Sequence, residues 1–205
     1  ISMISILPFI LVVHPSVKAN NLKEFIELAR AQPGVLNFGS PGTGSTPHLA
    51  GELFQQMTGT KFVHVAYKGD GPALTDLLGG QIQTLLATEL VLGAQIKAGK
   101  LRALAVTTAK RSPAMPELPA IGELVPGYAV DGWAGMWAPA GTPREVIARL
   151  NQSVARILKL PEVQERLRAG GAEPAHSTPE GFAQAITRDI ATWSKVVKAR
   201  NIKVD

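Results

Sequence analysis

The sequence predicts an α/β fold with mainly parallel sheets, divided between two lobes. Three observations carry that expectation. From residue 21 to residue 107, short apolar runs rich in β-formers alternate with segments of helical period, most of them closed by glycine. Units of that length impose right-handed crossovers and hence parallel neighbours in a sheet. The alternation then stops at residues 112–127, which hold four prolines and no period, and a helix-rich section follows.

The opening ISMISILPFILVVHP reads as a buried strand, because its β-branched residues end abruptly at His14-Pro15. It lacks a basic start and a small-x-small cleavage site, and Pro8 interrupts it, so it does not read as a signal peptide. It is also too short for a membrane-spanning helix. Lacking an initiating methionine, the chain is expected to begin inside a longer polypeptide. Residues 21–31 place Leu22, Phe25, Ile26, Leu28 and Ala29 at helical spacing before Pro33-Gly34. Residues 35–39 then form a strand, 47–57 a helix ended by Gly59, and 61–66 a strand. Residues 71–78 form a helix ended by Gly79-Gly80, 81–87 a strand, 90–98 a helix ended by Gly99, and 101–107 a strand. After the proline-rich connector, residues 129–138 read as a strand with Trp133 and Trp137 on one face. Thr142-Pro143-Arg144-Glu145 forms a capping box that opens a helix to Leu158. Pro161 starts a short helix ended by Gly170-Gly171, and a second box, Ser177-Thr178-Pro179-Glu180, opens a helix to about Arg200.

Composition narrows the function. The 205 residues are 45% hydrophobic and 18% charged, which is not the profile of a disordered chain. A formal net charge of +5 and a pI near 9.6 attract anions weakly and at long range. The basic residues (Lys97, Lys100 and Arg102, Lys110-Arg111, and the tail from Lys195 to Lys203) lack aromatic interleaving, so no nucleic-acid partner is expected. With no cysteine there is no disulfide and no thiolate chemistry. The four histidines are far apart in sequence, no metal or cofactor site is expected, and His64 in KFVHVAY reads as a core histidine.

The stretch NFGSPGTGSTPHLAGELF, residues 37–54, is the most informative. It has no Gly-Lys pair, so it is not a P-loop, and Pro47 stands where a dinucleotide fingerprint needs its third glycine. Free amides, hydroxyls and the positive end of a helix dipole remain, and together they favour an anion. The alternative is that Ser45 or Thr46 simply caps a helix with Pro47 in its first turn. Ser45 and His48 do not read as a nucleophile and base, since no G-x-S-x-G elbow is present and no carboxylate is placed to orient the histidine. Residues 40–45, 67–72 and 88–89 all follow predicted strands, and a sheet order that gathers them makes one pocket wall.

These loops carry a resemblance. The runs LNFGSPGTGSTPHLAGELF, VHVAYKGDGPALTDLLGGQI, IKAGKLRALAVTTAKRSPAMPELPAIGEL and WAPAGTP are similar, in order and essentially end to end, to the substrate-binding proteins of tripartite tricarboxylate transporters, also called Bug receptors. The resemblance implies a type II periplasmic binding-protein fold, two α/β lobes closing over a small dicarboxylate or aromatic acid. It implies an extracytoplasmic receptor that hands its ligand to membrane permease subunits and catalyses nothing. It also implies that this chain lacks the N-terminal part of lobe 1. Residues 1–10 are then a crossing strand from lobe 1, 11–108 lobe 2, 109–129 a connector or hinge, and 130–205 the C-terminal part of lobe 1 with its long C-terminal helix. An incomplete lobe should expose apolar surface and favour pairing with another chain, as in a homodimer, or with the missing piece.

Carried over position by position, the implied ligand contacts are Ser40, Gly42, Thr43, Gly44, Ser45, His48, Tyr67, Lys68, Gly69 and Thr88. Thr88 stands where family members often carry asparagine, and Ala87 where many carry aspartate. The latter departure points to a carboxylate without an amino group. Each residue has a plainer reading too: an edge aromatic for Tyr67, a solvated cation for Lys68, a backbone requirement for the glycines. Two further readings stand beside the receptor. One is the effector-sensing domain of a regulator, which would need an attached helix-turn-helix; the other is a truncated receptor no longer competent to bind.

Overall fold

The computed structural model describes residues 1–113 and 115–203; Ala114 of the expected connector and Val204 and Asp205 of the expected C-terminal lobe lie outside the described residues. The chain divides into two compact units, one of residues 8–131 and 196–205, the other of residues 1–7 and 132–195. The opening segment is not one strand but two, β1 (Ser2–Leu7) and β2 (Phe9–Val13), which belong to different sheets. Pro8 separates them because it has no N–H to offer a ladder.

The larger unit holds a five-stranded sheet. Its chain order after β2 is α1 (Leu22–Ala31), β3 (Asn37–Ser40), α2 (Thr46–Thr58), β4 (Val63–Ala66), α3 (Asp70–Leu78), β5 (Thr84–Thr88), α4 (Glu89–Lys97) and β6 (Arg102–Val106). The spatial order is β4-β3-β5-β2-β6. Here β3 is parallel to both β4 and β5, whereas β2 runs antiparallel to β5 and β6. Four strands therefore share a direction, as the crossover units predict, and β2 is reversed. The reversal escapes a count of strand-helix-strand units, because β2 comes from the first segment of the chain and not from a crossover.

Both faces of this sheet are covered, and its central strands β2 and β5 are accordingly apolar over most of their length. On one face Ile10, Val12, Leu85, Ala87 and Val106 meet Ala73 and Leu77 of α3 and Leu92 of α4. On the other, aromatic rings from α1, α2, the residue preceding β4 and the connector pack together: Phe25 stacks on Phe62 with centroids 5.6 Å apart, and Phe54 meets Tyr128 edge-on at 6.1 Å. The buried Tyr128 hydroxyl donates to the Ala50 carbonyl at 3.1 Å. The described residues from 107 to 131 form a connector that includes a 3-10 turn, Ile121–Glu123. Arg111 braces it through paired 2.8 Å bonds to the Glu123 carboxylate, which holds that acid down at about 2.

The smaller unit is built on an antiparallel sheet of three strands, in the order β7 (Gly132–Met136), β1, β8 (Glu173–Pro174). Its helices are α5 (Arg144–Ile157), α6 (Pro161–Ala169) and α7 (Pro179–Ala199), of which residues 179–195 belong to this unit. The expectation of mainly parallel sheets does not hold here, since no crossover unit feeds β1. Trp133 and Trp137 share a face, with centroids 5.8 Å apart, and both pack on Phe182. The Trp133 indole donates to Asp189 at 2.7 Å.

Neither capping box forms as spaced. The Thr142 hydroxyl donates to the Pro139 carbonyl at 2.8 Å, inside the preceding turn, and α5 begins with no side-chain cap. At α7 the Ser177 hydroxyl accepts the Met3 N–H at 2.9 Å, because the start of β1 competes for it. Thr178 caps instead, accepting from Gly181 N–H at 3.0 Å. Val146, Leu150, Ile157 and Leu160 are exposed apolar side chains of this unit.

Candidate functional site

The site follows from strand direction. Because β4, β3 and β5 are parallel neighbours, their carboxyl ends, at Ala66, Ser40 and Thr88, lie on one edge of the sheet. The amino ends of α2, α3 and α4 begin at that edge. The reversed β2 brings its own start there, since Phe9 pairs with Thr88 and its N–H reaches the Thr107 hydroxyl at 3.2 Å. Two backbone bonds join the first two turns: Tyr67 N–H to the Ser40 carbonyl at 2.9 Å and Gly69 N–H to the Pro41 carbonyl at 3.0 Å.

The 40–45 turn is held by its own side chains. Ser45 caps α2: its hydroxyl donates to the Gly42 carbonyl at 2.6 Å and receives the His48 N–H at 3.4 Å. Ser40 is fully buried, with its hydroxyl between the His64 ring at 2.7 Å and the Gly42 backbone. The His48 ring folds back over the turn, and its Nδ1 accepts the Gly44 N–H at 3.0 Å. That conformation requires Gly44 at φ 80°, where a side chain is strained. His48 and His64 stack with centroids 3.8 Å apart. Burial lowers the pKa of His48 against the opposing pull of Glu52, and burial together with His48 pushes His64 down to about 4.

Behind the histidines lies a polar network. Glu52, buried, sits 3.9 Å from His48 Nε2, accepts from Gln55 at 3.0 Å, and is paired with Arg200. Gln55 in turn accepts the Phe62 N–H at 2.8 Å. The Ser45 hydroxyl donates to the Gly42 carbonyl and the His48 ring accepts from the Gly44 amide, so the two side chains are not hydrogen-bonded as nucleophile and base.

The remaining expected residues divide by what they offer. The Tyr67 hydroxyl donates to Asp76 on α3 at 2.8 Å, and burial with that bond raises it to about 12. Its main chain, not its phenol, lies in the joined turns. Thr43 and Lys68 are exposed, and Gly42 and Gly69 are partly exposed with positive φ. Thr88 is partly buried at the head of α4, where its side chain forms no cap. Ala87 is buried in the core with Ile10 and Leu92, so it does not face the sheet edge, and the inference drawn from its missing carboxylate loses its footing.

Neither α3 nor α4 has a side-chain cap, and their first-turn amides keep no helical acceptor. Pro72, in the first turn of α3, removes one such donor. Asp70 and Glu89, within the 67–72 and 88–89 loops, lie in these first turns, a position that acids favour. Burial raises the Asp70 carboxyl above the usual carboxylate range. The Glu52–Arg200 pair was also missed, because its members are 148 residues apart in the chain.

The model of the tripartite tricarboxylate transporter family receptor matches residues 1–202. The chain is 35% identical to protein BugT of Bordetella pertussis over 205 residues, all of this chain and 63% of that protein. It is also 35% identical to a protein encoded between tcbD and tcbE of Pseudomonas sp. strain P51, over 93% of this chain and 57% of the relative. The chain therefore spans about three fifths of the length of these relatives. Among solved structures it is similar to R. palustris Rpa4515 with adipate, with a TM-score of 0.85 and 38% identity over 98% of this chain and 67% of that one. MatC of Rhodopseudomonas palustris with bound malate gives 0.78 and 28% over 96% of this chain and 68% of that one. The periplasmic binding protein BugD gives 0.81 and 31% over 99% of this chain and 69% of that one, so the fold is that of these binding proteins.

Proposed function

Because the chain belongs to the tripartite tricarboxylate transporter receptor family, we propose that it is the ligand-holding part of an extracytoplasmic receptor for a small dicarboxylate or aromatic acid, passed on to a membrane permease. The observation that carries this reading is the gathering of the 40–45, 67–69 and 88–89 turns on one edge of the larger unit's sheet, at the heads of α2, α3 and α4. Main-chain N–H groups at those helix heads, with Thr43 and Lys68 beside them, form the grip. Ser40, Ser45 and His48 shape the first turn, and Gly42, Gly44 and Gly69 let the backbone approach an anion. A carboxylate held by neutral amides and water leaves more readily than one clamped by buried arginines, which suits a carrier. The relatives solved with adipate and malate favour a dicarboxylate over an aromatic acid.

Titration calorimetry with adipate, malate and benzoate, each beside its neutral ester, tests the reading. At least one acid is expected to bind the chain with a Kd of about 10 μM to 1 mM while its ester gives no heat. Equal heats from acid and ester, or none from any acid, overturn it.

A further inference from the structure

Resting on that reading, we propose that His48 is a positioning residue of the binding turn: its neutral imidazole holds the Gly44 amide, and protonation of the ring releases the turn and weakens the grip on an anion. The tautomer follows from the geometry. Nδ1 accepts the Gly44 N–H at 3.0 Å and so carries no proton, which leaves the ring's single proton on Nε2, 3.9 Å from Glu52. A second proton has only Nδ1 to go to. The imidazolium and the Gly44 bond exclude one another.

The surroundings keep the ring neutral. His48 is 4% exposed, and the His64 ring from β4 stacks on it at 3.8 Å, where two cations would repel. The acid facing it is Glu52, one turn further along α2, and Arg200, just past the end of α7, already pairs with that carboxylate. The pull of Glu52 toward an imidazolium is thereby partly cancelled. Burial lowers both histidines, and the neighbouring His48 lowers His64 further.

The sign is diagnostic. A cation forming beside an anion site strengthens binding on acidification if electrostatics alone acts. A lost turn weakens it. The test begins with nitrogen–proton NMR of the unliganded chain. Followed from about pH 7.5 to about pH 4.5, the Gly44 amide is expected to shift and lose exchange protection with the midpoint of the His48 ring. His48→Ala removes that protection at every pH. His48→Asn, whose amide oxygen accepts in the same place, restores it and abolishes the titration.

In parallel, adipate affinity is expected to fall about threefold or more across that range, beyond any fall in the His48→Asn chain, which shares changes in the ligand's own ionisation. A Gly44 amide that ignores His48, or that stays protected in His48→Ala, overturns the proposal. So does an affinity that holds or rises while Gly44 is released. If neither adipate nor malate binds at any pH while Gly44 still tracks His48, the receptor reading fails and takes the binding role with it, leaving a structural lock alone.

Discussion

Gly51 shows how much one hydrogen atom decides. It lies mid-way along α2, where a β-carbon would stand 2.2 Å from the Phe38 ring. No Cβ contact is that short, so Gly51→Ala must push the ring or the helix aside. The ring is itself buried against its neighbours. Gly59, by contrast, has open space around it but a φ of 67°. We expect Gly51→Ala to cost about 1–3 kcal/mol in chemical denaturation, despite the better helix propensity of alanine. A neutral or stabilising result would show that Phe38 can be repacked. At the same scale, Ser40 and Ser45 were expected to touch a ligand, yet their hydroxyls are bonded within the protein. A residue type suited to an anion is equally suited to bracing the turn that presents one.

Helix ends teach a related lesson. Thr142 and Thr178 look alike in sequence, each preceding a proline at a helix start, but only Thr178 accepts a helical amide. Substitution of Thr178 by alanine is expected to destabilise the smaller unit by about 1 kcal/mol, the usual worth of an N-cap. Thr142→Ala should cost about half as much or less, since it loses a single exposed turn bond. Thermal or urea melts of the two variants compare them directly, and equal losses would contradict the assignment of caps. The absence of side-chain caps on α3 and α4 is consistent with the proposed site, because first-turn amides with no side-chain acceptor can be met by a ligand.

For the whole molecule, the stacked pair of buried His48 and half-buried His64 links stability to pH. Both folded-state pKa values lie below the ordinary value of 6.5, with His64 near 4, so the unfolded chain binds more protons in that interval. The contribution of the pair is therefore fully present above about pH 6.5 and is lost as pH falls through the folded values. We expect the urea midpoint of the larger unit to drop between about pH 6.5 and about pH 4, and to drop less when His48→Asn and His64→Gln are combined. Equal acid sensitivity in the double variant would assign the loss to carboxylates elsewhere.

What the chain order settled on its own was local. Apolar periods and glycine stops located the helices and strands from residue 21 to residue 107, and the loops that follow three of those strands were found because a crossover unit always ends in such a loop. Family membership, too, was written in those loops. What required the tertiary structure was anything that joins distant residues. The reversed direction of β2, the pairing of Glu52 with Arg200, the stack of His48 on His64, and the burial of Ala87 all depend on which segments become neighbours. A one-dimensional pattern reports period and propensity, which are set by backbone geometry within a few residues. Competition for a hydroxyl or a ring nitrogen is decided only when the chain folds, because the rival partners arrive from elsewhere in the sequence.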